Sequence, residues 1–355
     1  MTMPDRTRYH GLDAMRGIAA LSVVVFHIGD DAHQRLFPHA YLAVDFFFML
    51  SGFVLAKAYE PRLNERLSAA RFLELRLIRL YPLFMLGVLL GIPRIVSQVI
   101  GPVAHPMTPV EALLAFILNT LMLPAPTSPF LLFPFNVPAW SLFLEIAVNI
   151  GFAILFYRLA WRLLAIGCLG TGLLLALAIL RMGHNDLGAV WSSAGFGFFR
   201  VSFSFLLGML FARMPARDRR STAMACLPIA ALALILAFPW PLAFGADVDL
   251  MAVFILLPAL LWLGIRIELP GVLKPMGAVL GDISYPLYAI HFPLLQIFLH
   301  VFLRGLHLPL WLVSLAFLAS AGWLAWFLAH HFDAPVRRWL SGRGRFGPTP
   351  MPVRS

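Results

Sequence analysis

Charge is what this chain has least of. Only 12% of its 355 residues are Asp, Glu, Lys or Arg, against 61% apolar residues, and the mean hydropathy is +0.85. So little charge cannot cover the surface of a water-soluble domain, so that class is excluded and a polytopic membrane protein is indicated. Cysteine is nearly absent too. Cys168 and Cys226 stand in separate apolar runs, which excludes a disulfide framework and a cysteine-based metal site. Acids number 17 against 27 bases, leaving a net charge of +10. There is no low-complexity linker and no repeat of fixed period. The first apolar run does not read as a cleavable leader, because it carries Arg16, lacks a small-x-small signature and leads straight into a second run.

What is present is a series of apolar runs of the length that a hydrocarbon layer of roughly 30 Å demands. They fall at about 12–30, 41–58, 80–100, 138–157, 163–180, 196–212, 222–239, 248–265, 285–303 and 310–331. The expected fold is therefore an all-α transmembrane bundle of ten spans. A further piece, 110–123, is bounded by Pro109 and Pro124 and reads either as a short span or as a segment lying against the bundle. The basic residues favour the second reading. With a cytoplasmic N-terminus and ten crossings, only Arg35, Arg94, Arg181 and Arg304 fall in outer loops. Lys57 through Arg79, Arg158, Arg162, Arg213, Arg217, Arg219, Arg220, Arg266, Lys274 and Arg337 through Arg345 then lie inside, and both termini are cytoplasmic. That topology accounts for the positive charge without nucleic acid, and basic inner loops suit an anionic leaflet. One membrane domain, 1–340, and a disordered basic tail, 341–355, are expected.

Ionisable residues within spans are costly and mark function by default. Arg16 and His27 lie eleven positions apart in the first run, which sets them roughly 16 Å apart along a helix. They read either as a functional pair or as a snorkelling arginine and a core histidine. Asp45, near the start of the second run, reaches about the depth of His27. There it would fix the imidazole tautomer as a base requires, or act as a structural acid bonded to backbone or Ser51. Arg76 and Arg79 share a helical face at the mouth of the third run and read as a phosphate clamp or as ordinary positive-inside anchors. Glu145 sits about seven residues into the fourth. His27, Asp45 and Glu145 are thus expected in one outer layer and the three arginines at the inner mouth, as in a polar channel. A proton-coupled transporter would bury similar groups, but its signature of paired internal repeats is missing. His27, Asp30, Asp31 and His33 do not make a metal site, since no matching ligand group stands elsewhere. Gly87 and Gly91 form a GxxxG spacing that permits close helix packing and says nothing of oligomeric state.

The chain resembles the acyltransferase-3 family of integral membrane O-acyltransferases. The resemblance is carried by LDAMRGIAALSVVVFH with Arg16 and His27, VDFFFMLSGF with Asp45, Ser51 and Gly52, and FLELRLIRLYP with Arg76 and Arg79. It continues in VPAWSLFLE with Trp140, Ser141 and Glu145, and in LGDISYPLYAIHFP with Ser284, Tyr285, Tyr288 and His291. Ala14 stands where glycine is usual, Asp333-Ala-Pro335 where Glu-x-Pro is, and Ile146 and Asn149 where an aromatic and a second acid often follow. The stand-alone form without a fused SGNH-type domain is the closer likeness.

The resemblance implies transfer of an acyl group, usually acetyl from acetyl-CoA, to a hydroxyl of a carbohydrate or related envelope acceptor in the bacterial cytoplasmic membrane. Acyl-CoA is then a co-substrate and no tightly bound cofactor is implied. Arg16, Arg76 and Arg79, with Ser284 and Tyr285, would meet the donor. His27 would serve as base or acyl carrier, assisted by Asp45 and Glu145. Ser51, Trp140, Ser141, Tyr288 and His291 would line the pocket. His291, about 9 Å above the start of its expected span, reads as a pocket or packing residue nearer the donor end. Acceptor specificity is assigned to outer loops such as 102–137 and 181–195.

Overall fold

A computed structural model describes residues 8–31, 36–101, 106–215, 220–221, 223–239 and 245–343. Its helices are α1 (His10–Asp31), α2 (Ala43–Glu65), α3 (Ala69–Leu90), α4 (Ile92–Ile100), α5 (Pro109–Thr120), α6 (Ala139–Ile154) and α7 (Trp161–Met182). They continue as α8 (Ala194–Ala212), α9 (Cys226–Ala237), α10 (Gly245–Met251), α11 (Leu257–Arg266), α12 (Lys274–Phe298), α13 (Leu310–Leu328) and α14 (Ala334–Arg343). Short π-helical segments join α10 to α11 and α13 to α14 and extend α12. The strand content among the described residues is a two-residue parallel pairing of Arg220–Ser221 with Ile267–Glu268. The all-α class follows from the sequence: apolar backbone in lipid must satisfy its own N–H and C=O groups.

Among the described residues, eight helical stretches are long and apolar enough to cross a membrane. They coincide with eight of the ten expected spans. The other two, 138–157 and 222–239, fold as α6 and α9, of 16 and 12 residues, shorter than about 20 residues of helix needed for a full crossing. The 110–123 piece forms the 12-residue α5, held at its start by a capping box between Thr108 and Glu111. The tail boundary moves: α14 continues to Arg343, so 341–343 are helical, and 344–355 lie outside the described residues. Also outside them are His33, Arg35, Arg217, Arg219 and Arg345.

Two helix pairings position the site. The first joins α1 and α12, which run parallel: Gly17 faces Leu280, Gly281 faces Asp13, and a Cβ on Gly17 would stand 2.5 Å from the Leu280 Cβ. The second joins α2 and α8, which run antiparallel. There a Cβ on Gly52 would collide with the Phe205 carbonyl, and one on Gly208 with the Met49 carbonyl. Small residues let the backbones approach, which is how helices associate where no hydrophobic force separates them from lipid. Gly87 and Gly91 also serve packing within the chain, against the Ala289 carbonyl and the Phe135 carbonyl.

The two loops expected to carry acceptor specificity are stitched together. Leu131 pairs with Val190 across an antiparallel bridge, and the Trp191 indole donates to the Ser128 carbonyl at 3.1 Å. Gly188 adopts a positive φ of 118°, and its α-carbon lies so close to the Trp140 ring that a side chain there would overlap it. The loop is thereby pinned to the start of α6.

Candidate active site

A cavity of about 830 Å³, counted with its open mouth, lies between α1, α2, α3, α6 and α12. Arg16 on α1, Arg76 and Arg79 on α3, and Ser284 and Tyr285 on α12 all line it, together with Ser51, Ser141, Glu145 and Tyr288. All five residues expected to meet the donor are thus brought to one cavity, although the first and last of them stand near opposite ends of the sequence. Three guanidinium groups against one carboxylate give the cavity a positive balance, and apolar residues including Phe47, Leu80 and Leu142 complete it. Such a site suits a ligand that is anionic at one end and apolar along its length.

The hydrogen bonds show how each charge is held. Arg16 donates to the Gly281 carbonyl at 2.8 Å and pairs with Asp13 at 3.1 Å, while its Nε is buried without a hydrogen bond. Arg76 donates to Glu145 Oε1 at 2.6 Å, and Ser51 donates to the same oxygen at 3.1 Å; the Arg76 Nε is likewise buried and unsatisfied. Arg79 lies 5.8 Å from the Tyr285 ring centroid and 4.0 Å from Asp333, which also binds Arg337 at 2.8 Å. The Tyr285 hydroxyl donates to the Leu80 carbonyl, and Ser141 and Tyr288 share a hydrogen bond of 2.6 Å.

Glu145 therefore does not join an outer layer with His27. It is the counter-charge of Arg76, because α6 descends past α3 and about two turns of helix carry the carboxylate to the arginine. Asp45 is also reassigned. Its carboxylate is fully buried and receives Arg200 at 2.7 Å and the Asn185 amide at 3.0 Å. Arg200, equally buried, also donates to the Leu187 and Tyr41 carbonyls and stacks 5.5 Å from the Trp140 ring. Trp140 thus belongs to this neighbouring cluster and not to the cavity wall. Asp249 extends the cluster by accepting from Tyr41 at 2.8 Å and from the Asn185 backbone at 2.7 Å. Sequence reasoning misses Arg200, yet a lone arginine in GFGFFRVSFSF requires an acid, and Asp45 is an acid in want of a partner.

His27 is half-buried near the end of α1, with Phe26 and Phe292 at ring-centroid distances of 5.2 and 5.1 Å. His291 lies 5.2 Å from it. The structure corrects the expected depth of His291. Helix α12 begins at Lys274 rather than at 285, so roughly 25 Å of helix precedes His291 and brings it level with His27. Pro286 and Pro293 do not break the helix, and Pro275 starts it. His291 connects back to the cavity through Tyr288, 5.8 Å away between centroids.

An acyltransferase-domain family profile, Acyl_transf_3, matches residues 9–330. The chain belongs to this family. Among curated relatives in sequence, "Protein 2 in picA locus" of Rhizobium radiobacter is 38% identical over 164 residues, covering 43% of this chain and 85% of that protein. "Acyltransferase MdmB" of Streptomyces mycarofaciens is 31% identical over 180 residues, covering 45% of this chain and 42% of that protein. The chain thus spans less than half of the second relative's length. No solved structure matches the chain. Membership fixes the coarse function as that of a multi-pass membrane acyltransferase.

Proposed function

We propose that this acyltransferase takes an acyl group, acetyl in the simplest case, from cytoplasmic acyl-CoA and passes it to a hydroxyl of a carbohydrate or related envelope acceptor. The observation that carries the reading is the convergence of Arg16, Arg76 and Arg79 on one cavity, with two of their Nε atoms buried and unsatisfied. Buried guanidinium donors without acceptors are costly, and phosphate oxygens of a CoA ester supply the missing bonds bidentately. The apolar wall beyond them accommodates the pantetheine arm. His27 lies beyond the residues that line this cavity, about 16 Å along α1 from Arg16, and is linked to it by ring contacts from Tyr288 on the cavity wall to His291 and from His291 to His27.

An unactivated hydroxyl is a weak nucleophile at neutral pH, so a base within hydrogen-bond reach is needed. His27 supplies it, taking the hydroxyl proton for direct attack or accepting the acyl group itself and handing it on. The basic inner loops favour the arginine end at the cytoplasmic face of a bacterial membrane, with the stitched loops 125–132 and 187–191 at the acceptor side. The test is acetyl-CoA turnover by purified protein in lipid. His27→Ala is expected to abolish donor-dependent activity, and undiminished turnover in that variant would overturn the reading.

A further inference from the structure

His291 is completely buried, and its two ring nitrogens are in different states. Nδ1 lies 2.9 Å from the Tyr288 carbonyl and 3.1 Å from the Leu287 carbonyl. Carbonyl oxygens only accept, so Nδ1 carries the proton. Nε2 is then a bare lone pair, and it is buried without a hydrogen bond. An unsatisfied acceptor in a membrane interior costs free energy that the fold retains for a reason.

The neighbour that can satisfy it is His27. The two ring centroids are 5.2 Å apart with planes tilted by 33°, a separation at which nitrogens on directly facing ring edges would stand about 3 Å apart. The carboxylates expected to assist His27 are committed elsewhere, Asp45 to Arg200 and Glu145 to Arg76 and Ser51. Phe26 and Phe292 pack edge-on against the His27 ring.

We propose that His291 is the positioning residue of His27, its Nε2 accepting the His27 N–H and so leaving the other His27 nitrogen as a bare base facing the acceptor hydroxyl. The inference rests on the reading of His27 as the base. In the transfer step the acceptor oxygen bonds to the thioester carbonyl carbon while its proton passes to His27. The carbon–sulfur bond then breaks, and His27 returns the proton to the departing thiolate. His291 stays neutral throughout and acts by fixing the tautomer, as a second group does for other catalytic imidazoles.

The experiment compares acetyl-CoA turnover by the full chain in lipid for His291→Phe, which keeps a ring but removes the acceptor, and His291→Gln, whose Oε1 replaces Nε2. His291→Phe is expected to lose about tenfold or more in kcat with KM for acetyl-CoA unchanged, and His291→Gln to recover part of the loss. His291→Phe turning over within about twofold of the unaltered chain while His27→Ala is inactive overturns the positioning role and leaves the base intact. Full activity in both His27→Ala and His291→Phe overturns the reading of His27 itself. Should His291→Phe fail to fold, His291→Asn, whose shorter amide cannot reach His27, is compared with His291→Gln. Equal activity of those two contradicts the proposal.

Discussion

Arg200 and Asp45 are both fully removed from solvent, and removing one partner leaves an uncompensated buried charge. Arg200→Met is therefore expected to destabilise the fold by about 3–5 kcal/mol, whereas the double change Asp45→Leu, Arg200→Met regains most of that loss. Thermal unfolding in detergent checks it. Glu145 behaves differently, because it is half-buried and faces an open cavity. As the counter-charge of Arg76 it competes with an anionic donor, so Glu145→Gln should lower KM for acetyl-CoA and slow turnover by less than about tenfold. Turnover slowed by about a hundredfold or more would instead give Glu145 a proton-transfer role. The sequence identifies Arg16, Arg76 and Arg79 as a group because charged residues stand out in apolar runs. It cannot pair Asp45 with Arg200, 155 positions away, since a buried ion pair is decided by which helices meet.

The α1–α12 pairing determines how far His27 stands from His291, and its tightest point is Gly17 against Leu280. Gly17→Ala drives a methyl into the Leu280 backbone and side chain, with an expected cost of about 1–3 kcal/mol and slower turnover as the two rings separate. Gly170, on the exposed face of α7, has open space to at least 4 Å where a side chain would project. Gly170→Ala should then be neutral or stabilising by up to about 1 kcal/mol, through helix propensity alone. Unfolding curves together with turnover distinguish the two. At this scale the helices with long uniform apolar runs are legible in the sequence. The start of α12 is not, because Lys274, Gly277, Gly281 and Asp282 read as loop; in the structure Gly277 and Gly281 are contact points with α1, and Arg8 reaches Asp282 at 2.9 Å.

Across the whole molecule, two polar assemblies divide the work. The Asp45–Arg200–Asn185–Asp249 cluster ties α2, α8, α10 and the 183–188 loop into a clasp, while the arginine cavity stays open. The family motifs in the sequence point to residues of both without separating them, since Trp140 and Ser141 are adjacent in sequence yet serve different assemblies. The eight long helices are readable from hydropathy. The shortness of α6 and α9 is not, because their apolar runs continue past the helix ends into turns. The central claim is a division of labour, donor anion at the arginine cavity and chemistry at His27 beyond it. It is tested most directly by measuring kcat and KM for acetyl-CoA side by side in Arg76→Ala/Arg79→Ala and in His27→Ala, with CoA binding measured on both. The account predicts a raised KM with kcat largely kept in the arginine variant, and lost turnover with CoA binding kept in the histidine variant. Unchanged donor binding and KM in the arginine variant would contradict it.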